Sequence, residues 1–219
     1  MRGCLFDLDG VITKTAAQSG GRFVPFDAVA DYDAYVDGKF RANVTRSFPA
    51  SRGVSLPEGS AEDASETVNG LGSRKSDIVL RHIREDGVEV YEGSLRYVRA
   101  FRSCGLRCAV VSSSTNCQGV FIAAGIEDLF DQRIDGLTAK REHLTEKPAP
   151  GIFLAGAHAL GLKPEECVVF EDALAGVAAG RADNSAAVIG VDREGQAQAL
   201  RDHGADIVVS DLANLLQTA

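Results

Sequence analysis

The sequence predicts an α/β fold: a Rossmann-like, doubly wound parallel sheet with a small helical insert after its first strand. Three observations predict it. Short apolar runs alternate with helix-like stretches over most of the chain, which is the pattern of parallel strands joined by crossover helices. Gly105, Gly125, Gly161 and Gly204 each stand just past a helical stretch, where a left-handed C-terminal cap is wanted. After Thr15 the composition shifts towards Gly, Ser, Pro and acidic residues, which marks an insertion.

In chain order, Arg2 to Phe6 is a short apolar run that ends in Asp-Leu-Asp-Gly, a buried strand entering a tight loop. Residues 16–86 are read as a helical cap. Gln18 to Gly21 and Ser47 to Ser65 are rich in Gly, Ser, Pro and acidic residues, and Tyr32, Tyr35 and Val36 suggest short helices between them. Residues 1–15 and 87–219 form the core. There the pattern predicts helices over 95–102, 117–124, 152–160, 174–181 and 196–203, and strands over 108–111, 168–170, 187–191 and 207–209.

With 219 residues, 45% hydrophobic and 25% charged, the chain has the composition of one folded domain or of a core with an insert. A net charge of −8 argues against a broad nucleic-acid surface. The five cysteines, Cys4, Cys104, Cys108, Cys117 and Cys167, lie without a Cys-x-x-Cys pair and are read as reduced and mostly buried. No apolar run approaches the ~18 residues that span a bilayer, and no stretch reads as a signal peptide. A cytoplasmic monomer with no nucleic-acid or membrane partner is the expectation.

In a doubly wound sheet the ligand binds beyond the carboxyl ends of the strands. Asp7 and Asp9 follow the first strand, Ser112 to Asn116 follow the strand at 108–111, Lys147 lies in a proline-bounded loop, and Glu171 and Asp172 follow the strand at 168–170. Taken singly these are a turn, a helix N-cap, a surface loop and an acidic first helical turn. Their joint order suits phosphoryl transfer, in which a carboxylate nucleophile must approach a phosphate that is already negative. Mg²⁺ held by Asp7 and Asp172 relieves that repulsion. Ser112 and Lys147 can bind the transferring group, and Asp9, two residues past the nucleophile, is placed to exchange a proton with the leaving and attacking oxygens.

These segments, Leu5-Phe6-Asp7-Leu8-Asp9-Gly10-Val11, Val110-Val111-Ser112-Ser113-Ser114, Lys147-Pro148-Ala149-Pro150 and Val169-Phe170-Glu171-Asp172 through Val177, resemble the haloacid dehalogenase superfamily, and within it the β-phosphoglucomutase group. The resemblance implies that Asp7 becomes the aspartyl phosphate and Asp9 is the general acid and base. It implies that Asp7, Asp172 and the Asp9 carbonyl hold Mg²⁺, with Glu171 as a direct ligand or one step behind. Ser112 and Lys147 would grip the transferring phosphoryl group, with Ser113 in the same phosphate-binding turn. Ser114, Asn116 and the cap residue Arg41 match a distal phosphate site, and Lys75, after Arg74, matches a basic residue of the cap. A bidentate guanidinium suits the distal role. The implied substrate is a small phosphorylated sugar.

The chain departs from the group at several points. It runs from Thr15-Ala16-Ala17 into Gln18-Ser19-Gly20-Gly21, where the group has a cap helix carrying a histidine and needing on the order of 15 to 20 residues. Thr115 stands where lysine is common, and Gly151 where aspartate usually follows Lys-Pro-x-Pro, a small loss if that residue is an N-cap. The histidines His82, His143, His158 and His203 lack zinc spacing and are read as surface or helix-end residues. Three functions follow as expectations: β-phosphoglucomutase, a sugar-phosphate phosphatase, and a non-catalytic phosphate-binding protein.

Overall fold

Strand β1 (Gly3–Phe6) lies at the centre of a six-stranded, all-parallel sheet. It is flanked by β2 (Arg107–Val111), with β3 (Gln132–Ile134) beyond, and on its other side by β4 (Cys167–Glu171), β5 (Ala187–Val191) and β6 (Ile207–Val209), giving the order β3-β2-β1-β4-β5-β6. The computed structural model describes residues 2–6, 30–36, 38–51, 53–63 and 66–218. The order reverses at β1, which is where a doubly wound sheet opens its ligand crevice. Phe6, the last residue of β1, is in register with Val110 of β2 and Phe170 of β4.

Between β1 and the core helices, the described residues form α1 (Ala30–Tyr35), α2 (Arg41–Ser51) and α3 (Val68–Asp86). The last begins at Thr67, whose Oγ1 accepts the Gly70 N–H at 3.0 Å. The core adds α4 (Glu92–Ser103), α5 (Cys117–Ala124), α6 (Gly136–Arg141), α7 (Gly151–Ala159), α8 (Leu174–Ala182) and α9 (Ala197–Asp202).

The strands are apolar because both faces of the sheet are covered. Cys108 and Val110 of β2, with Val168 and Phe170 of β4, face Leu95 and Val98 of α4 and Val120 and Phe121 of α5. Ala109, Val111, Cys167 and Val169 face Ile152 and Phe153 of α7, Val177 of α8 and Leu200 of α9. Alternation with period two thus feeds two cores, as a buried parallel sheet requires. Cys108, Cys117 and Cys167 are buried free thiols and Cys104 an exposed one. Burial pushes the Cys167 thiol up to about 11, which leaves it inert.

The predicted helix over 117–124 and the strands over 187–191 and 207–209 coincide with α5, β5 and β6, and the other predicted elements match within a few residues. Gly105, Gly125, Gly161 and Gly204 all take positive φ. Among the core strands and α-helices, β3, a three-residue strand with two polar residues, and α6, six residues long, escape the apolar pattern, and in the insert α2 and α3 received no bounds from it. Gly151 also differs from expectation. Pro150 is the N-cap of α7, and a Cβ on Gly151 would sit 2.7 Å from the Thr145 backbone nitrogen, so glycine there serves close packing rather than capping.

The polar turn Asp183-Asn184-Ser185 has a structural role. Asn184 takes φ 62 past the end of α8, and Asp183 Oδ1 accepts the Ser185 N–H at 2.6 Å. Burial raises the Asp183 carboxyl above its ordinary value, against the hydrogen bonding of Ser185. The folded chain therefore holds this proton to higher pH than the unfolded chain does. Its contribution to stability is complete below the ordinary carboxylate value and is lost as pH rises through the raised one. Urea midpoints measured from pH 3 to pH 7 should show Asp183→Asn gaining on wild type as pH rises across that range. In α8, a Cβ on Gly180 would lie 2.8 Å from Val169 Cγ1 of β4. Gly180→Ala should lower unfolding free energy by about 1 to 2 kcal/mol in the same assay, overpacking outweighing the better helix former.

Candidate active site

The chain leaving β2 makes a serine turn on the carboxyl edge of the sheet. The Ser112 N–H donates to the Ile134 carbonyl at 2.8 Å, which fixes the turn against β3. Ser112 Oγ accepts the Ser114 N–H at 3.1 Å, and Ser114 Oγ accepts the Asn116 N–H at 3.1 Å. A hydroxyl used as an acceptor keeps its own hydrogen, so both can still donate to an anion. Asn116 is the N-cap of α5 and makes no side-chain capping bond. Gly136 is required here, because a Cβ would approach the Ser113 carbonyl to 2.6 Å.

Lys147 is not a surface residue. Its side chain is 1% exposed, paired with Glu171, itself 0% exposed, with the ammonium 5.2 Å from the Phe153 ring centroid. The other Glu171 oxygen accepts the Ala173 N–H at 3.0 Å. Two charges so deep are tolerable only together, since either alone would keep its desolvation cost without compensation. Gly176, in the first turn of α8, leaves room for the pair: a Cβ there would overlap the Glu171 carboxylate. Asp172, the next residue, is half-exposed, and its carbonyl accepts from Gln196 Nε2 at 3.4 Å.

The turn before α2 lies on these loops. The Gly38 carbonyl accepts from Ser113 Oγ at 2.7 Å, and a Cβ on Gly38 would lie 3.5 Å from Lys147 Cδ and 3.6 Å from Ala173 Cβ. The Ser113 hydroxyl is thus engaged in holding this turn. Arg41 opens α2, packs over Gly72 of α3 and donates to Ser76 Oγ, while Lys75 is exposed on α3.

The structure therefore gathers Ser112, Ser113, Ser114, Lys147, Glu171 and Asp172 around the carboxyl ends of β2 and β4, with Gly38 against them. Asp7 and Asp9 lie outside the described residues, as does the junction at 16–21. Carboxylate donors such as Asp172 suit a hard divalent cation. Among the described residues no group of three or more potential ligands is clustered for a metal. Of the histidines, His82 contacts Asp86 within α3, His203 closes α9 by contact with the Ala199 carbonyl, and His143 and His158 are exposed. Sequence reasoning passed over Glu146 and gave Gly176, although it lies in the fourth segment, no role of its own. Glu146 adjoins Lys147, but its partners lie in α2, a contact that no local pattern encodes.

The profile of the haloacid dehalogenase-like hydrolases matches residues 1–182. The chain belongs to that family. It is 49% identical over 240 aligned positions to β-phosphoglucomutases of Mycobacterium tuberculosis and Mycobacterium bovis, covering 99% of this chain and 92% of theirs. Those 240 positions exceed the 219 residues of this chain, so these relatives carry residues with no counterpart here. The crystal structure of a β-phosphoglucomutase from Clostridium difficile superposes with a TM-score of 0.78 at 25% identity, over 98% of this chain and 93% of that one.

Lys147→Met leaves Glu171 buried without its cation and should destabilise the protein by about 3 to 5 kcal/mol in urea unfolding. Adding Glu171→Gln should recover much of the loss, because the amide can still accept the Ala173 N–H.

Proposed function

We propose that this protein is a β-phosphoglucomutase, converting β-D-glucose 1-phosphate to D-glucose 6-phosphate through glucose 1,6-bisphosphate. The observation that carries this reading is the 49% identity extending over nearly the whole of both chains. The buried Lys147 and the serine turn, set at the crevice of the sheet, supply the phosphate-binding chemistry it needs.

In this reading Asp7 attacks phosphorus and carries the phosphoryl group as an aspartyl phosphate, and Asp9 exchanges a proton with the sugar oxygen. Asp7, Asp172 and the Asp9 carbonyl would hold Mg²⁺, whose chemistry there is to offset the charge of phosphate against carboxylate. With both oxygens of Glu171 engaged by Lys147 and Ala173, we assign Glu171 to orienting Lys147 rather than to direct ligation. Lys147 and Ser112 grip the transferring group. Arg41, Ser114 and Asn116 hold the other phosphate of the bisphosphate while it turns round, and Lys75 adds positive charge on the cap side.

We assign residues 16–86 to the cap and place the residues that the relatives possess and this chain lacks at 16–21. The free thiols of Cys104, Cys108, Cys117 and Cys167 suit a reducing compartment such as the cytoplasm. A sugar-phosphate phosphatase is the second reading, favoured by the hydrolase family itself and by the shorter chain, since a cap that seals poorly admits water to the aspartyl phosphate.

Purified protein with Mg²⁺ and trace glucose 1,6-bisphosphate should turn β-glucose 1-phosphate into glucose 6-phosphate with little free phosphate. Accumulation of inorganic phosphate in place of glucose 6-phosphate would identify the phosphatase. Asp7→Asn should abolish either activity, and acid-quenched wild type should carry an acyl phosphate on Asp7 by peptide mass spectrometry.

A further inference from the structure

Helix α2 cannot complete its own N-terminus. Phe40 is its N-cap, with its carbonyl accepting the Asn43 and Val44 N–H groups at 2.9 and 3.1 Å. In a capping box the third helical residue would be Glu or Gln and would reach back to the N-cap N–H. Here that residue is Asn43, too short for the task, and the carboxylate comes from the core instead. Glu146 Oε2 accepts the Phe40 N–H at 3.0 Å, and Glu146 Oε1 accepts from Asn43 Nδ2. The negative charge also lies at the positive end of the helix dipole.

The tie continues outward and inward. Asn43 Oδ1 accepts from Arg46, which is clamped by both oxygens of Glu58 at 3.0 Å each. The Glu58 carbonyl accepts from the Asn69 backbone and side-chain amides of α3 at 3.1 Å. Inward, Glu146 is the chain neighbour of Lys147, and Gly38, two residues before Phe40, bonds Ser113. Arg41 is the first residue after the N-cap that Glu146 completes.

We propose that Glu146 is a positioning residue: it seats the first turn of α2, and with it Arg41, over the serine turn and the Lys147 loop. The inference rests on the mutase reading for its effect on the reaction and on geometry alone for its effect on the turn. Removing the carboxylate frees the Phe40 N–H and the Asn43 amide. The turn then loosens where it should exclude water and hold the second phosphate.

The test uses Glu146→Ala, Glu146→Gln and the double variant Glu146→Gln with Asn43→Asp. In the single Gln variant an amide NH₂ meets the Asn43 NH₂, whereas the double variant restores donor to acceptor at that contact and keeps an acceptor for the Phe40 N–H. Hydrogen exchange over residues 38–46 should accelerate roughly tenfold in Glu146→Ala and return towards wild type in the double variant. Under mutase conditions the free phosphate released per glucose 6-phosphate should rise roughly tenfold in Glu146→Ala, with KM for β-glucose 1-phosphate raised, and the double variant should reverse both. Unchanged exchange over 38–46 in Glu146→Ala overturns the proposal, as does an unchanged product ratio in an active mutase. If wild type releases only inorganic phosphate, the mutase reading fails while the exchange experiment still decides the role of Glu146.

Discussion

The contact on which the site depends is the buried pair of Lys147 and Glu171. It joins the loop after α6 to the end of β4, so the two sides of the crevice are locked by electrostatics that operate at low dielectric. Neither charge has bulk water to fall back on. The lysine ammonium is held by its carboxylate partner and lies beside the Phe153 ring, which fixes a cation at the sheet edge. A positive charge prepared in this way need not reorganise when an anion arrives, and such preorganisation is the main source of electrostatic catalysis.

The pair also explains the packing around it. Glycines stand along these loops: Gly136 against Ser113, Gly151 against Thr145, and Gly38 above Lys147. At Gly136 and Gly151 the backbone approaches so closely that only a residue without Cβ fits, whereas Gly38 has room for a methyl and is favoured by its φ of 69. Because Gly38 meets the serine turn and the lysine at once, the position of the helical segment is registered by two stations rather than one. A small displacement of α2 would be felt simultaneously at both.

Much of this was legible in the order of residues along the chain. The alternation of apolar runs and helical stretches encodes a sheet buried on both faces, and the strand ends together with the proline-bounded loop then mark Ser112, Lys147, Glu171 and Asp172 as a group. What escaped notice has physical reasons. Strand β3 is too short and too polar to register as an apolar run, being held by hydrogen bonds to β2 rather than by burial along its whole length. The depth of Lys147 was hidden because a lysine beside prolines looks like a solvated loop, and only its partner on β4 makes burial affordable. Glu146 reaches residues more than a hundred positions away, a contact created by the tertiary arrangement alone.

Gly176 carries one more consequence. Exchanging helical glycines for alanine is a familiar route to heat-tolerant proteins, since it stiffens the helix and narrows the unfolded ensemble. At this position the added methyl would collide with the carboxylate that the lysine needs. The opening turn of α8 is therefore obliged to remain soft, and thermal adaptation in this fold must find its gains away from the crevice.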